Sequence, residues 1–286
     1  MALKVRDNLK EFHKSKVGIR AHDFGCMKPI ELATALADAG IETVQLALPK
    51  AISGVESVYD VNSTILSQVE EAFAEKNVDI GVLGCYMEIG LSDKQARLEE
   101  VERFKIGITH AAKLNAGLIG TETSGFPVDG ENRESAYQNL KDSVLRMVEH
   151  AEKHDVIVGI EPVAVHVLNT AELAKRLLDE VASNKLKIIF DPVNLILTQD
   201  DIDNQDSIYN EVFKFVGNDI VALHVKDIVL ENGEKIWRNI GKGVVKLSSV
   251  FDLLRKRDIA IPLLREEINP SSAQSDINEI RRLKKG

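Results

Sequence analysis

The stretch VIVGIEPVAVHVLNTAELAKRLLDEVASNKLKIIFDPVN, residues 156–194, decides the fold class. It opens on a β-branched run reaching Glu161 and passes through a segment with apolar residues at three- and four-residue spacing. It closes on a second β-branched run that ends in Asp191. Strand, helix, strand is the unit of a parallel sheet, because parallel neighbours need a crossover long enough to hold a helix. Thr170 stands just before the periodic run, where its hydroxyl can accept an orphan backbone N–H, so a helix is predicted over 170–181.

The same alternation runs outward in both directions. Strands are predicted at 17–24, 43–47, 79–86, 118–123, 157–163, 186–191, 220–225 and 261–266. Helical periodicity is clearest at 29–39, 135–154 and 170–181, with Pro29 suited to a first helical turn and Gly40 to a stop. Eight strands separated by helices fit a closed (β/α)8 TIM barrel better than an open sheet, which usually has fewer. No linker-like stretch interrupts the sequence, so the expectation is an α/β barrel forming one domain over residues 1–286, with an N-terminal helical segment at 1–16. Within that segment, residues 3–14 are expected to cover the barrel bottom. The long connection at 48–63 is expected to hang over the opposite, active-site face and to cap a ligand.

A chain of 286 residues, 44% of them hydrophobic, can bury a substantial core. Its formal net charge of -9 works against binding a phosphate backbone, so no nucleic-acid partner is expected. Cys26 and Cys85 lie far apart without C-x-x-C spacing, which fits a reducing compartment. The lysine-studded N-terminus lacks the apolar core of a signal peptide, and no apolar run is long enough to span a bilayer. A cytoplasmic location without membrane attachment is the expectation.

Residues at the carboxyl ends of barrel strands face one shared pocket. Four consecutive strands end in groups of one chemical kind: VIVGIEP in Glu161, KIIFDPVN in Asp191, IVALHVKD in His224, and IPLLREEI in Glu266 and Glu267. Each has a plainer reading alone, since an acidic residue at a strand end often caps the next helix and a single histidine is often just buried. Four in succession weaken that reading. Carboxylates with one imidazole suit Mn²⁺, Co²⁺, Mg²⁺ or Zn²⁺, and the lack of thiolates argues against a structural zinc. One catalytic divalent ion is expected, Mn²⁺ foremost, with positions open to water and substrate.

The chain resembles the xylose isomerase-like barrel superfamily of sugar isomerases and epimerases, within it the D-tagatose and D-psicose 3-epimerase group. The resemblance spans nearly the whole sequence and is strongest at GIEP (159–162), HVLNTAEL (166–173), FDPVN (190–194), LHVKD (223–227) with the later GKG (241–243), and PLLREE (262–267). It implies that Glu161, Asp191, His224 and Glu266 bind the metal, Glu266 being chosen over Glu267 by its spacing from Pro262. It further implies that Glu161 and Glu266 are the catalytic acid/base pair, one removing the proton beside a carbonyl and the other returning it through a metal-stabilised enediolate. Barrels of this family commonly pair through outer helices, so a homodimer or homotetramer is expected.

Two departures bear on the substrate. The family's Asn-Arg-Phe-Glu segment after the strand-five glutamate is missing here, and Asn194 stands where the family has a histidine three residues after the aspartate. A free ketohexose is therefore not the expected substrate. Glu122, His166, Asn194, Lys226 and Arg238 are candidate substrate-binding residues, with His22 a weaker one; each could instead cap a helix or brace a loop. Arg238 and Lys242, with Gly241 and Gly243, form a basic turn able to cradle a phosphate. The expected activity is isomerisation or epimerisation of a sugar or sugar phosphate. The alternatives are a dehydratase or lyase of polyol metabolism, a non-catalytic sugar-binding barrel, and an abasic-site endonuclease, which the acidic charge and few histidines disfavour.

Overall fold

The computed structural model describes residues 15–126 and 132–285; the expected covering helix at 3–14 lies outside them. Eight parallel strands close into a barrel in the order β1-β10-β7-β6-β5-β4-β3-β2. They are β1 Val17–Arg20, β2 Thr43–Leu46, β3 Asp79–Gly84, β4 Ile119–Glu122, β5 Val158–Glu161, β6 Leu186–Phe190, β7 Ile220–Val225 and β10 Leu263–Arg265. All eight predicted strands form, mostly shorter at their ends than the apolar runs suggested. The predicted helices form at Pro29–Asp38, Arg133–His154 and Ala171–Val181. Thr170 accepts from Leu173 N at 3.1 Å, and Gly40 takes a left-handed φ of 72° just past the first helix. Among the described residues no helix is long and apolar enough to cross a membrane.

The two-residue strand period sorts the core into two parts. Ile188 and Phe190 of β6 face outward into the large apolar cluster shared with the helices, whereas Ile189 packs with Val82, Leu118, Ile157, Val221, Ala222 and Leu264 inside the barrel. Space for Ile189 comes from two missing side chains: a Cβ at Gly120 would stand 2.6 Å from Ile189 Cδ1, and one at Gly159 2.8 Å from its Cγ1. This apolar plug is the floor of the site. Two residues beyond Gly120, Gly159, Ile189, Ala222 and Leu264 come Glu122, Glu161, Asp191, His224 and Glu266, so the alternation that seats the plug also turns these groups into the lumen.

An antiparallel hairpin follows β7, pairing β8 Asp227–Glu231 with β9 Glu234–Arg238. Asn232 and Gly233 turn it with φ of 54° and 83°, the positive pair that a two-residue hairpin turn needs. The connection after β2 holds a short helix, Leu48–Ala51, and is tied to the connection after β1 by Met27 N to Ala51 O and Ser53 N to Met27 O, each 2.9 Å.

Candidate metal centre and active site

Glu161, Asp191 and His224 bring one potential ligand atom each to within 4.8 Å of one another, and all three are buried. His224 Nδ1 lies 3.0 Å from Glu161 Oε2 and 3.7 Å from Glu266 Oε1. Both ring nitrogens of His224 and Asp191 Oδ2 lack a hydrogen bond of good geometry, although each is shielded from water. A divalent cation in this space would take one imidazole nitrogen as a ligand beside carboxylate oxygens of Glu161 and Asp191. The donor set therefore fits a metal of the Mn²⁺ to Zn²⁺ range.

The supporting contacts hold each carboxylate in one orientation. Asn194 Nδ2 donates to Glu161 Oε1. Asp191 Oδ1 accepts from Val193 N at 2.8 Å, and Gln45 Nε2 donates to Glu266 Oε1 at 2.8 Å and to the Tyr86 hydroxyl at 2.6 Å. Lys226 places its ammonium nitrogen 2.7 Å from both Asp191 Oδ2 and Glu266 Oε2. Glu267 faces the other way, 2.9 Å from the Arg20 guanidinium, with a left-handed φ of 58° that turns the backbone out of the barrel. Alternation thus selects Glu266 for the lumen.

Charge sets these groups apart. Burial alone would neutralise both glutamates. It does push the Glu161 carboxyl upward, against the pull of His224. At Glu266 burial is outweighed by His224, Lys226 and Arg20, which hold the carboxyl well below the usual range. Burial likewise opposes charge on His224, but Glu161 and Glu266 overcome it and raise the imidazole to about 9. Glu122 is raised to about 7 by burial and then by the negative charge of Glu161, its partner in the strand register.

The remaining candidates divide. His166 Nε2 sits 4.0 Å from Glu122 Oε2, so the loop after β5 and the end of β4 meet at one side of the mouth. Burial and the positive charges of Arg20 and Lys50 push the partly buried His22 down to about 4. Arg238 turns its guanidinium to Glu231 at 2.9 Å, while its carbonyl accepts from Arg265 at 2.9 Å. The turn after it is not a phosphate cradle: Gly241 N and Gly243 N each donate to the buried Asp227 carboxylate at 2.9 Å, so neither amide is free for an anion. Lys242 is exposed on that turn.

Sequence reasoning does not reach Arg20, Gln45, Tyr86 or Trp237. Gln45 had a signal, a lone amide inside the apolar strand TVQL, and Trp237 had another, the Asn-Gly turn between alternating residues. Arg20 is separated from Glu267 by 247 residues and Tyr86 from Gln45 by 41, and no local pattern announces either.

A family model described as xylose isomerase-like TIM barrel matches residues 33–285. No curated protein sequence matches this one. Among solved structures, a D-tagatose 3-epimerase-like protein superposes with a TM-score of 0.78 at 16% identity, covering 94% of this chain and 97% of that one. The 3-keto-D-glucoside 4-epimerase of E. coli gives 0.73 at 17% identity over 94% and 100% of the two chains. The IolI protein with a bound zinc atom gives 0.69 at 15% identity over 94% and 96%. At such identities the likeness is one of fold.

Proposed function

Because the chain belongs to the xylose isomerase-like TIM barrel family, we propose that it is a metal-dependent isomerase or epimerase of a sugar or sugar phosphate, moving a proton at a carbon beside a carbonyl. The observation that carries this reading is the placement of Glu161 and Glu266 against the same nitrogen of His224, at 3.0 and 3.7 Å. They come from β5 and β10, which are not neighbours in the barrel, so a carbon backbone lying between them meets one carboxylate on each face. Removal on one face and return on the other inverts a centre or shifts a carbonyl.

Glu161 and Glu266 form the acid/base pair, one removing the proton and the other returning it. Gln45 and Asn194 each fix one oxygen of these carboxylates, while the other oxygen of Glu266 meets the Lys226 ammonium and that of Glu161 meets His224. A divalent ion held by Glu161, Asp191, His224 and Glu266 supplies Lewis-acid polarisation of the substrate carbonyl when bound. Lys226 adds a positive charge in the same enclosure, where the apolar floor strengthens electrostatic interactions. Glu122, His166 and Asn194 offer hydrogen bonds to hydroxyls around the mouth.

The test is solvent-deuterium incorporation into a panel of ketoses, aldoses, polyol ketones and their phosphates, with Mn²⁺, Co²⁺, Mg²⁺ or Zn²⁺ added. Wild-type protein should label one C–H position of at least one compound. Glu266→Gln should lose at least about 100-fold in that rate while keeping its circular dichroism. Labelling at the wild-type rate in the variant refutes the acid/base assignment.

A further inference from the structure

Trp237 is 41% exposed, yet it sits beside the buried charges of Lys226, Asp191 and Glu266. The Lys226 ammonium lies over its ring, 6.0 Å from the centroid, and that same ammonium touches Asp191 and Glu266 at 2.7 Å. A large aromatic face open to solvent at the edge of a buried ionic site has the two parts of a carbohydrate subsite, one apolar surface and a few convergent polar groups.

The face is also held still. In the hairpin register Trp237 opposes Ile228, which is fully buried against Val193, Ile196 and Ile202. Lys235, two residues before Trp237, donates to Val193 O at 2.8 Å, which pins this strand to the connection that carries Asn194. The hairpin base is fixed by Asp227, whose carboxylate collects the amides of Gly241, Gly243 and Val245, and by Arg265 donating to Arg238 O. A platform that needs no ordering on binding keeps the stacking energy that a mobile side chain would lose.

We propose that Trp237 is the stacking platform for a substrate bound as a closed six-membered ring, a pyranoside or a cyclic polyol bearing the carbonyl on a ring carbon. This rests on the sugar isomerase or epimerase reading and narrows its substrate class. Such a ring has one face of axial C–H bonds that lies flat on an indole, with hydroxyls around its edge. Laid against Trp237, its edge meets Lys226 and, beyond it, Glu266. An acyclic polyol is flexible and has no flat apolar face to offer.

Trp237 is the single tryptophan of the protein, so intrinsic fluorescence reports this position alone. The Mn²⁺-loaded protein is titrated with methyl β-D-glucopyranoside, myo-inositol and the acyclic D-glucitol, followed by fluorescence and by calorimetry. At least one ring compound should shift the emission saturably, and D-glucitol should not at the same concentrations. In calorimetry Trp237→Ala should weaken the ring compound at least tenfold, whereas Trp237→Phe, which keeps an aromatic face, should stay within threefold of wild type. Equal affinity of Trp237→Ala and wild type, or D-glucitol binding as tightly as the rings, overturns the platform. Those two outcomes leave the sugar reading standing if deuterium exchange with an acyclic ketose persists. Failure of all three compounds to bind overturns the platform, and the sugar reading then falls only if the exchange panel is blank as well.

Discussion

The Arg20 guanidinium binds Glu267 at 2.9 Å and Asp23 at 2.7 Å, and these two contacts hold Glu267 apart from its neighbour Glu266. Asp23 in turn accepts from Ile268 N at 3.1 Å, so the backbone just past Glu266 is stitched to the end of β1. Glu267 is thereby an outward ion pair, one-third exposed, while Glu266 is nearly inaccessible. Glu267→Gln should retain deuterium exchange to within about threefold, against the loss of about 100-fold or more from Glu266→Gln. Equal losses in the two variants would show that both glutamates act on the substrate.

Lys226 and the proposed metal answer to the same carboxylates. Its ammonium balances Asp191 and Glu266 at 2.7 Å, and burial by itself would oppose that charge, yet the surrounding carboxylates hold it firmly protonated. A divalent ion brought into this space is repelled by a fixed positive charge. Lys226→Met should therefore bind Mn²⁺ roughly tenfold more tightly in calorimetry, ~1.4 kcal/mol, while losing turnover. Weaker Mn²⁺ binding in the variant would mean that Lys226 orders the carboxylates for the metal instead of competing with it.

What the sequence disclosed follows from how local each cause is. Glu161, Asp191 and His224 were readable because each stands at the end of an apolar strand, and the two-residue period fixes where a strand-end side chain points. The choice between Glu266 and Glu267 was half readable: alternation says that one turns inward, but Arg20, which holds the other, lies 247 residues away. The phosphate turn misled because GKG looks like an anion cradle until Asp227 is seen beneath it, taking the amides. The β8–β9 hairpin went unread because its alternation continues that of β7, and only the Asn232-Gly233 turn separates two strands from one long run.

Arg265 and Asp276 form a buried ion pair at 2.8 Å, with side chains 1% and 2% exposed. Arg265 points outward from β10, between two lumen residues, and Asp276 reaches it from the helix Ala273–Lys285 while also accepting from Ile240 N at 3.1 Å. One carboxylate thus joins the strand of Glu266, the last helix and the turn after the hairpin. Asp276→Ala leaves a guanidinium buried without its partner, so urea unfolding should show a loss of about 3–5 kcal/mol. A loss below about 1 kcal/mol, the scale of a surface pair, would mean that water reaches Arg265.

Glu122 makes stability depend on pH in a direction opposite to most carboxylates. Burial, and then the nearby Glu161 charge, raises it from an ordinary 4.5 to about 7 in the folded protein. Below about 4.5 both folded and unfolded states hold its proton and nothing is lost. Between about 4.5 and 7 the unfolded state has released the proton while the folded state keeps it, so stability falls as pH rises through this window, and the penalty is complete above 7. The full shift would correspond to roughly 3 kcal/mol. With 36% of the side chain exposed, solvent screening reduces that to about 1 kcal/mol. In chelator-treated protein, Glu122→Gln should match wild type at pH 4 and exceed it by that amount at pH 8, measured by urea unfolding at each pH. Parallel stability curves for the two proteins across the window would show that Glu122 ionises as freely in the barrel as in water.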